Sequence, residues 1–272
     1  MKKSENSAKK QLYKKQTKED LLLTYEDLLF KKEQFMKDAE SYRISYIQEF
    51  GELTAEVFKA KIECIRLKKT ITFCQKSLNV GKKIDVNAMD KAIEGEMLVY
   101  KTELQSMLEE NKLASKAISS DRFDVTFAKK IFRRLTKKLH PDINKMTEKD
   151  PRLEDLWNKI MRAYRANDVE RLEELEVLVN AIFKELGEDA LNIDYQDLED
   201  RIKALEIKIK IILSEKPYTY GELLNDEEKV KAKKEEMQKE LKEFKDYAIE
   251  LEGLLADLLM QGGATLSFRT KL

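Results

Sequence analysis

"KKIFRRLTKKLHPDINK", residues 129–145, is where the fold of this chain is decided. Extended back to Ala128, its apolar positions are Ala128, Ile131, Phe132, Leu135 and Leu139, the i, i+3, i+4, i+7, i+11 series of one helical face. Lys129, Lys130, Arg133, Arg134, Lys137 and Lys138 occupy the other side. Pro141 disfavours the helical conformation at the residue before it, so the helix ends near Leu139 and His140 lies at the mouth of a loop. That loop runs to Pro151, a favoured first-turn residue. Leu153, Leu156, Trp157, Ile160 and Tyr164 then repeat the same spacing. Two matched stripes joined by a short connection predict an antiparallel helix pair.

Upstream, "SSDRFD", 119–124, holds capping residues and opens the basic helix at about Val125. Before it, apolar residues recur at steps of three and four from Leu22 through Tyr25, Leu29, Phe50, Val57, Cys64, Leu67, Ile71 and Cys74 to Leu78, interrupted at Lys32 and Arg43. This heptad seam predicts one helix of about 60 residues, about 90 Å long, that needs partners along its stripe. "NVGKKIDVN", 79–87, is the turn, and a second helix from about Ala88 to Ala117 carries Ile93, Met97, Tyr100, Leu104, Met107, Leu108 and Leu113. It folds back on the end of the long helix and covers only about half of it. The part around Leu22 to Phe50 must pair with another element of the chain, a second copy or a client.

Downstream, Asn167 and Glu170 have capping-box spacing, and the helix that follows runs to Gly187. Leu198, Ile202, Leu205, Ile209 and Ile212 form one seam. Met237, Leu241, Phe244, Ala248, Leu251, Leu255 and Leu258 form another, with Asn225 and Glu228 again in capping-box spacing. No segment alternates with the period of a strand. The expectation is an all-α fold: a basic leader over 1–18, a long helical hairpin or coiled coil over 19–118, a central antiparallel pair over 119–187, a C-terminal helical hairpin over 188–261, and a loose tail over 262–272.

Composition narrows the function. Charged residues make up 38% of the chain against 42% hydrophobic, with 8 Gly and 3 Pro, a balance suited to long helices. The 52 bases and 52 acids cancel, so attraction of the whole molecule to nucleic acid or to an anionic membrane is not predicted. Two cysteines, no signal peptide and no membrane-length apolar run predict a soluble protein of a reducing cytoplasm.

The single histidine has no cysteine or serine beside it, and Cys64 and Cys74 lie about 15 Å apart along one helix, too far to share a metal. Gly-rich phosphate loops are absent, so no cofactor is expected and the chain is not read as an enzyme. A histidine at a helix C-terminus has a plain role of its own in complementing the helix dipole. A basic face is often only solvated surface. Yet six bases with no acid among 129–138 cannot pair within their own helix, and that crowding suggests an external acidic partner. DNA or RNA would fit the charge, but the face lacks interleaved aromatics and amides for base readout, so nucleic acid is not expected.

A basic amphipathic helix ending in His-Pro-Asp, a loop and an antiparallel helix bearing an aromatic residue resemble the J domain of DnaJ-type co-chaperones. "FRRLTKKLHPDIN" is similar to the second helix and loop of that domain, and "LWNKIMRAYRAND" to its third helix; the match covers about residues 120–168. The resemblance implies that His140, Pro141 and Asp142 engage a DnaK-type chaperone and trigger its ATP hydrolysis. It also implies that Lys129, Lys130, Arg133, Arg134, Lys137 and Lys138 dock on an acidic surface of that chaperone. The chain departs from the family in lacking the usual first helix, the Gly/Phe-rich linker and the zinc region, and Ile143 stands where a lysine is common. The helical arms are then expected to recognise a client. The alternative is a structural coiled-coil adaptor with a relic J-like hairpin, dimerising through the N-terminal helix at Phe50 and Val57.

Overall fold

The computed structural model describes residues 17–116, 122–187 and 197–262. The expected basic leader up to Gln16, the capping run Ser119–Asp121 and the tail from residue 263 lie outside the described residues. Among those described, every regular element is helical: α1 (Lys18–Asn79), α2 (Val86–Ser115), α3 (Arg122–Leu139), α4 (Met146–Lys149), α5 (Pro151–Ala166), α6 (Val169–Leu186), α7 (Leu198–Ser214), α8 (Tyr220–Leu224) and α9 (Glu227–Gln261). The all-α expectation holds. No described helix is long and apolar enough to cross a membrane.

The described residues form two compact units that interleave in sequence. The first takes α1 up to Glu40 together with α3 to α7. The second takes α1 from Ser41, with α2, α8 and α9. The C-terminal seams expected to pair as one hairpin therefore belong to different units, α7 to the first and α9 to the second.

In the first unit, all five stripe residues of α3 and all five of α5 are buried in one core, with Leu172, Leu175 and Val179 of α6. Phe132 stacks on Tyr164 at 3.8 Å between centroids and His140 meets Trp157 edge-on at 5.1 Å, so α3 and α5 run in opposite directions. Asp150 caps α5 by accepting from the Arg152 amide, directly before Pro151. Asn167 ends α5 in the left-handed conformation at φ 55°, and the cap of α6 is Asp168, which accepts from the Arg171 amide. The α6 cap thus sits one residue later than the sequence spacing implied, because Asn tolerates left-handed backbone well and is used to stop the preceding helix. Gly187, at φ 68°, terminates α6 as expected.

A second core in the same unit joins Leu22, Tyr25 and Leu29 of α1, Leu198, Leu205 and Ile209 of α7, and Ile143 from the loop after α3. The start of the long helix thus finds its partners within its own chain.

In the second unit, α2 folds back along the end of α1: Cys74 meets Met89 and Lys69 pairs with Glu96. Ile62, Cys64, Leu67, Ile71 and Cys74 share a core with Ile93 and Met97 of α2 and with Leu251, Leu255 and Leu259 of α9. Leu108 and Leu113, expected on the α2 stripe, are exposed. Of the two residues expected at a dimer seam, Phe50 is fully buried within its own unit against Tyr46 and Val57 is half-buried. Asp226, one residue after the expected Asn225, caps α9 by accepting from the Lys229 amide.

Candidate functional site

The loop between α3 and α5 is built around its polar residues. Pro141 ends the helix, and the His140 carbonyl accepts from the amides of Ile143 and Asn144, both at 2.8 Å. Asn144, fully buried, donates from Nδ2 to the Lys138 carbonyl at 2.8 Å and accepts the Met146 amide at 3.0 Å. It therefore satisfies one of the orphan carbonyls at the end of α3 and tethers the loop to the short α4. Arg201 of α7 donates to the Asp142 carbonyl at 3.2 Å.

His140, which the resemblance implies contacts the partner, does not face outward. It is 5% exposed, with its ring against Trp157, and its Nδ1 accepts the Asp142 amide at 3.1 Å. Accepting at Nδ1 fixes the neutral tautomer protonated at Nε2. Burial drives the imidazole down to about 4, more than Asp142, 3.9 Å away, can offset. The histidine is a neutral internal strut of the turn. Pro141 is half-buried, and of the tripeptide it is the Asp142 carboxylate, half exposed, that reaches solvent.

The cations of α3 divide by face. Arg134 makes a two-pronged bond to Glu176 of α6 at 2.8 and 2.6 Å, and Lys138, one turn on, donates to Asn180 at 2.9 Å. The hydrogen bonds between Arg134 and Glu176 raise the guanidinium pKa and lower that of the carboxyl. Arg133 pairs with Asp27 of α1 at 2.6 Å and lies over the Phe30 ring, while Lys137 pairs with Glu26 at 2.9 Å. Lys129 is half-buried, and Lys130 sits 5.3 Å over the Phe127 ring.

The acids inferred to belong to another molecule are thus in part supplied by this chain, from elements more than 40 residues away in sequence. Arg133–Asp27, exposed on both sides, contributes about 0–1 kcal/mol, so it sets orientation more than stability.

Sequence reasoning missed a second stripe on α1. Glu26, Phe30, Glu33 and Lys37 follow steps of four, three and four, and Glu26, Glu33 and Lys37 are buried. Lys37 lies over the Tyr164 ring and donates to the Tyr164 carbonyl at 2.6 Å and to Asn167 Oδ1. Burial, with Lys129 adding repulsion, lowers its ammonium to about 8. The signal that could have found the stripe is its 4-3-4 spacing, hidden because three of the four residues are charged and a search for apolar periodicity passes over them. No family model, no curated protein and no solved structure matches this chain.

Proposed function

We propose that this protein is a J-type co-chaperone. The α3–α5 pair docks on a DnaK-type ATPase through the His140-Pro141-Asp142 turn and the cations of α3, and speeds that partner's ATP hydrolysis without chemistry on its own side chains. The reading is carried by one observation: a His-Pro-Asp turn joins a basic amphipathic helix to an antiparallel one, with the Asp142 carboxylate half exposed. The roles within the triad then differ. His140 holds the turn from inside by accepting the Asp142 amide, Pro141 fixes its exit, and Asp142 makes the contact. Lys129, Lys130, Arg133, Arg134, Lys137 and Lys138 supply orientation and on-rate more than affinity. The helical arms serve a client protein.

Single-turnover ATP hydrolysis by a purified DnaK-type chaperone tests the reading. Asp142→Asn keeps the backbone bond to His140 and removes the exposed charge, so stimulation falls by at least about tenfold while helicity is unchanged. Equal rates for the wild type and this variant would reject it.

The burial of His140 and the pairing of Arg133, Arg134 and Lys137 inside the chain favour a second reading, a helical adaptor in which the J-like turn is structural. That reading requires that neither protein change the ATPase rate at any concentration.

A further inference from the structure

The first turns of α1 lie along the basic helix in the opposite direction. Glu26 meets Lys137, Asp27 and Phe30 meet Arg133, and Lys37 reaches Tyr164 and the vicinity of Lys129. Two of the six cations assigned to partner docking, Arg133 and Lys137, are therefore already occupied by carboxylates of α1, the chemistry expected of the partner, besides Arg134, which pairs with Glu176 of α6. Leu22, Tyr25 and Leu29 also cover Ile143, the residue directly after Asp142, and Lys32 and Glu33 come close enough to His140 to act on its charge.

Two features separate this seam from the permanent one. The α3–α5 seam is apolar at every stripe position, whereas the α1 stripe is charged at Glu26, Glu33 and Lys37. Burying charge is a weak source of stability even when the charges are paired. The seam is also incompletely filled. A cleft of about 330 Å³ runs between α1 and α3, lined by Leu23, Glu26, Phe30, Arg133, Thr136 and Lys137.

We propose that residues Leu22–Lys37 are a displaceable occupant of the docking face, which keep Arg133, Lys137 and the turn closed until an acidic surface of the partner chaperone replaces them. The inference rests on the co-chaperone reading and adds that the resting protein is held in check by its own α1. An amphipathic helix with paired acids is an internal stand-in for the partner's surface. Its removal exposes both the cations and the turn.

Two full-length variants test it. Glu26→Lys with Asp27→Lys puts like charges against Arg133 and Lys137. Leu22→Asp with Leu29→Asp puts carboxylates into the contact with Ile143. Amide exchange over residues 22–37 and the pH titration of His140, the one histidine of the chain, report opening without any chaperone present. Single-turnover hydrolysis by a purified DnaK-type chaperone reports the consequence.

Both variants are expected to exchange at least about tenfold faster over 22–37, to titrate His140 closer to the free imidazole range, and to stimulate hydrolysis several-fold more than the wild type. If both open and stimulate no more than a wild type that is itself active, the inference falls and the co-chaperone reading stands. If neither the open variants nor the wild type stimulates, both fall. Unchanged exchange in both variants overturns the inference too, since the contacts named would not be what holds α1 in place.

Discussion

His140 and Asn144 carry the loop, and each makes a measurable claim. A histidine buried neutral titrates late, so the imidazole followed by NMR should show a midpoint near 4 in the folded chain, set by burial against the opposing pull of Asp142, with Lys32, Glu33 and Lys145 as smaller influences. Between the unfolded value, about 6.5, and this midpoint the folded unit binds fewer protons than the unfolded chain. This group therefore lowers stability as pH falls through that window and adds no slope above it. A midpoint at 6 or higher would mean that the ring is solvated. Lys37 behaves analogously at the other end of the scale. Its folded value of about 8 lies below the unfolded one, so its contribution to stability rises with pH from about 8 to the ordinary lysine range. Asn144→Ala removes the partner of the Lys138 carbonyl and of the Met146 amide in a buried position, and should cost about 1–3 kcal/mol in urea unfolding.

At the scale of elements, α3 and α5 owe their stability to one shared stripe. Phe132 is its centre, stacked on Tyr164 at 3.8 Å and on Trp157 at 5.8 Å, with Phe30 of α1 at 6.2 Å. Phe132→Ala should cost about 3–5 kcal/mol, read from the denaturant midpoint, because the rings around it cannot collapse into the space it leaves. These two helices were legible in the sequence down to each buried position, since an amphipathic stripe with a proline at each boundary admits few other readings. The caps were less so. Asn167 and Asn225 have the composition of caps, but Asp168 and Asp226 do the capping. Which of two adjacent residues of similar chemistry caps the next helix depends on which one closes the preceding helix: Asn167 does so in the left-handed conformation, and Asn225, at φ −83°, closes α8. Leu108 and Leu113 misled in the opposite sense: they keep the helical spacing of α2 but lie on its exposed side, while α1 still meets that stretch through Arg43–Glu110 and Gln48 with the Ala114 carbonyl.

At the scale of the whole molecule, α1 belongs to both compact units, Glu40 to one and Ser41 to the other. Each unit has its own core, so damage should stay local. In Phe132→Ala, amide exchange should quicken over 122–187 and stay at wild-type rates over Ile62–Cys74 and Leu251–Leu259. Uniform acceleration across both sets would show one cooperative core. Read in order along the chain, the sequence suggests serial domains, because periodicity is a local property. The units are built instead from segments far apart in sequence, which only long-range burial can select.

Residue order alone is enough to tell that the chain is helical, where the basic helix stops, which faces of α3 and α5 go inward, and that His140, Pro141 and Asp142 form the turn between them. All of these follow from residue spacing and from proline's backbone constraint, which act within a few residues. It took the packing of distant segments to turn His140 inward, to bring Glu26, Asp27 and Glu176 to cations which look unpaired in the sequence, and to bury Ile143 beneath α1 and α7. Charge compensation and burial depend on which distant segments meet, and the helical pattern of each segment carries no record of that.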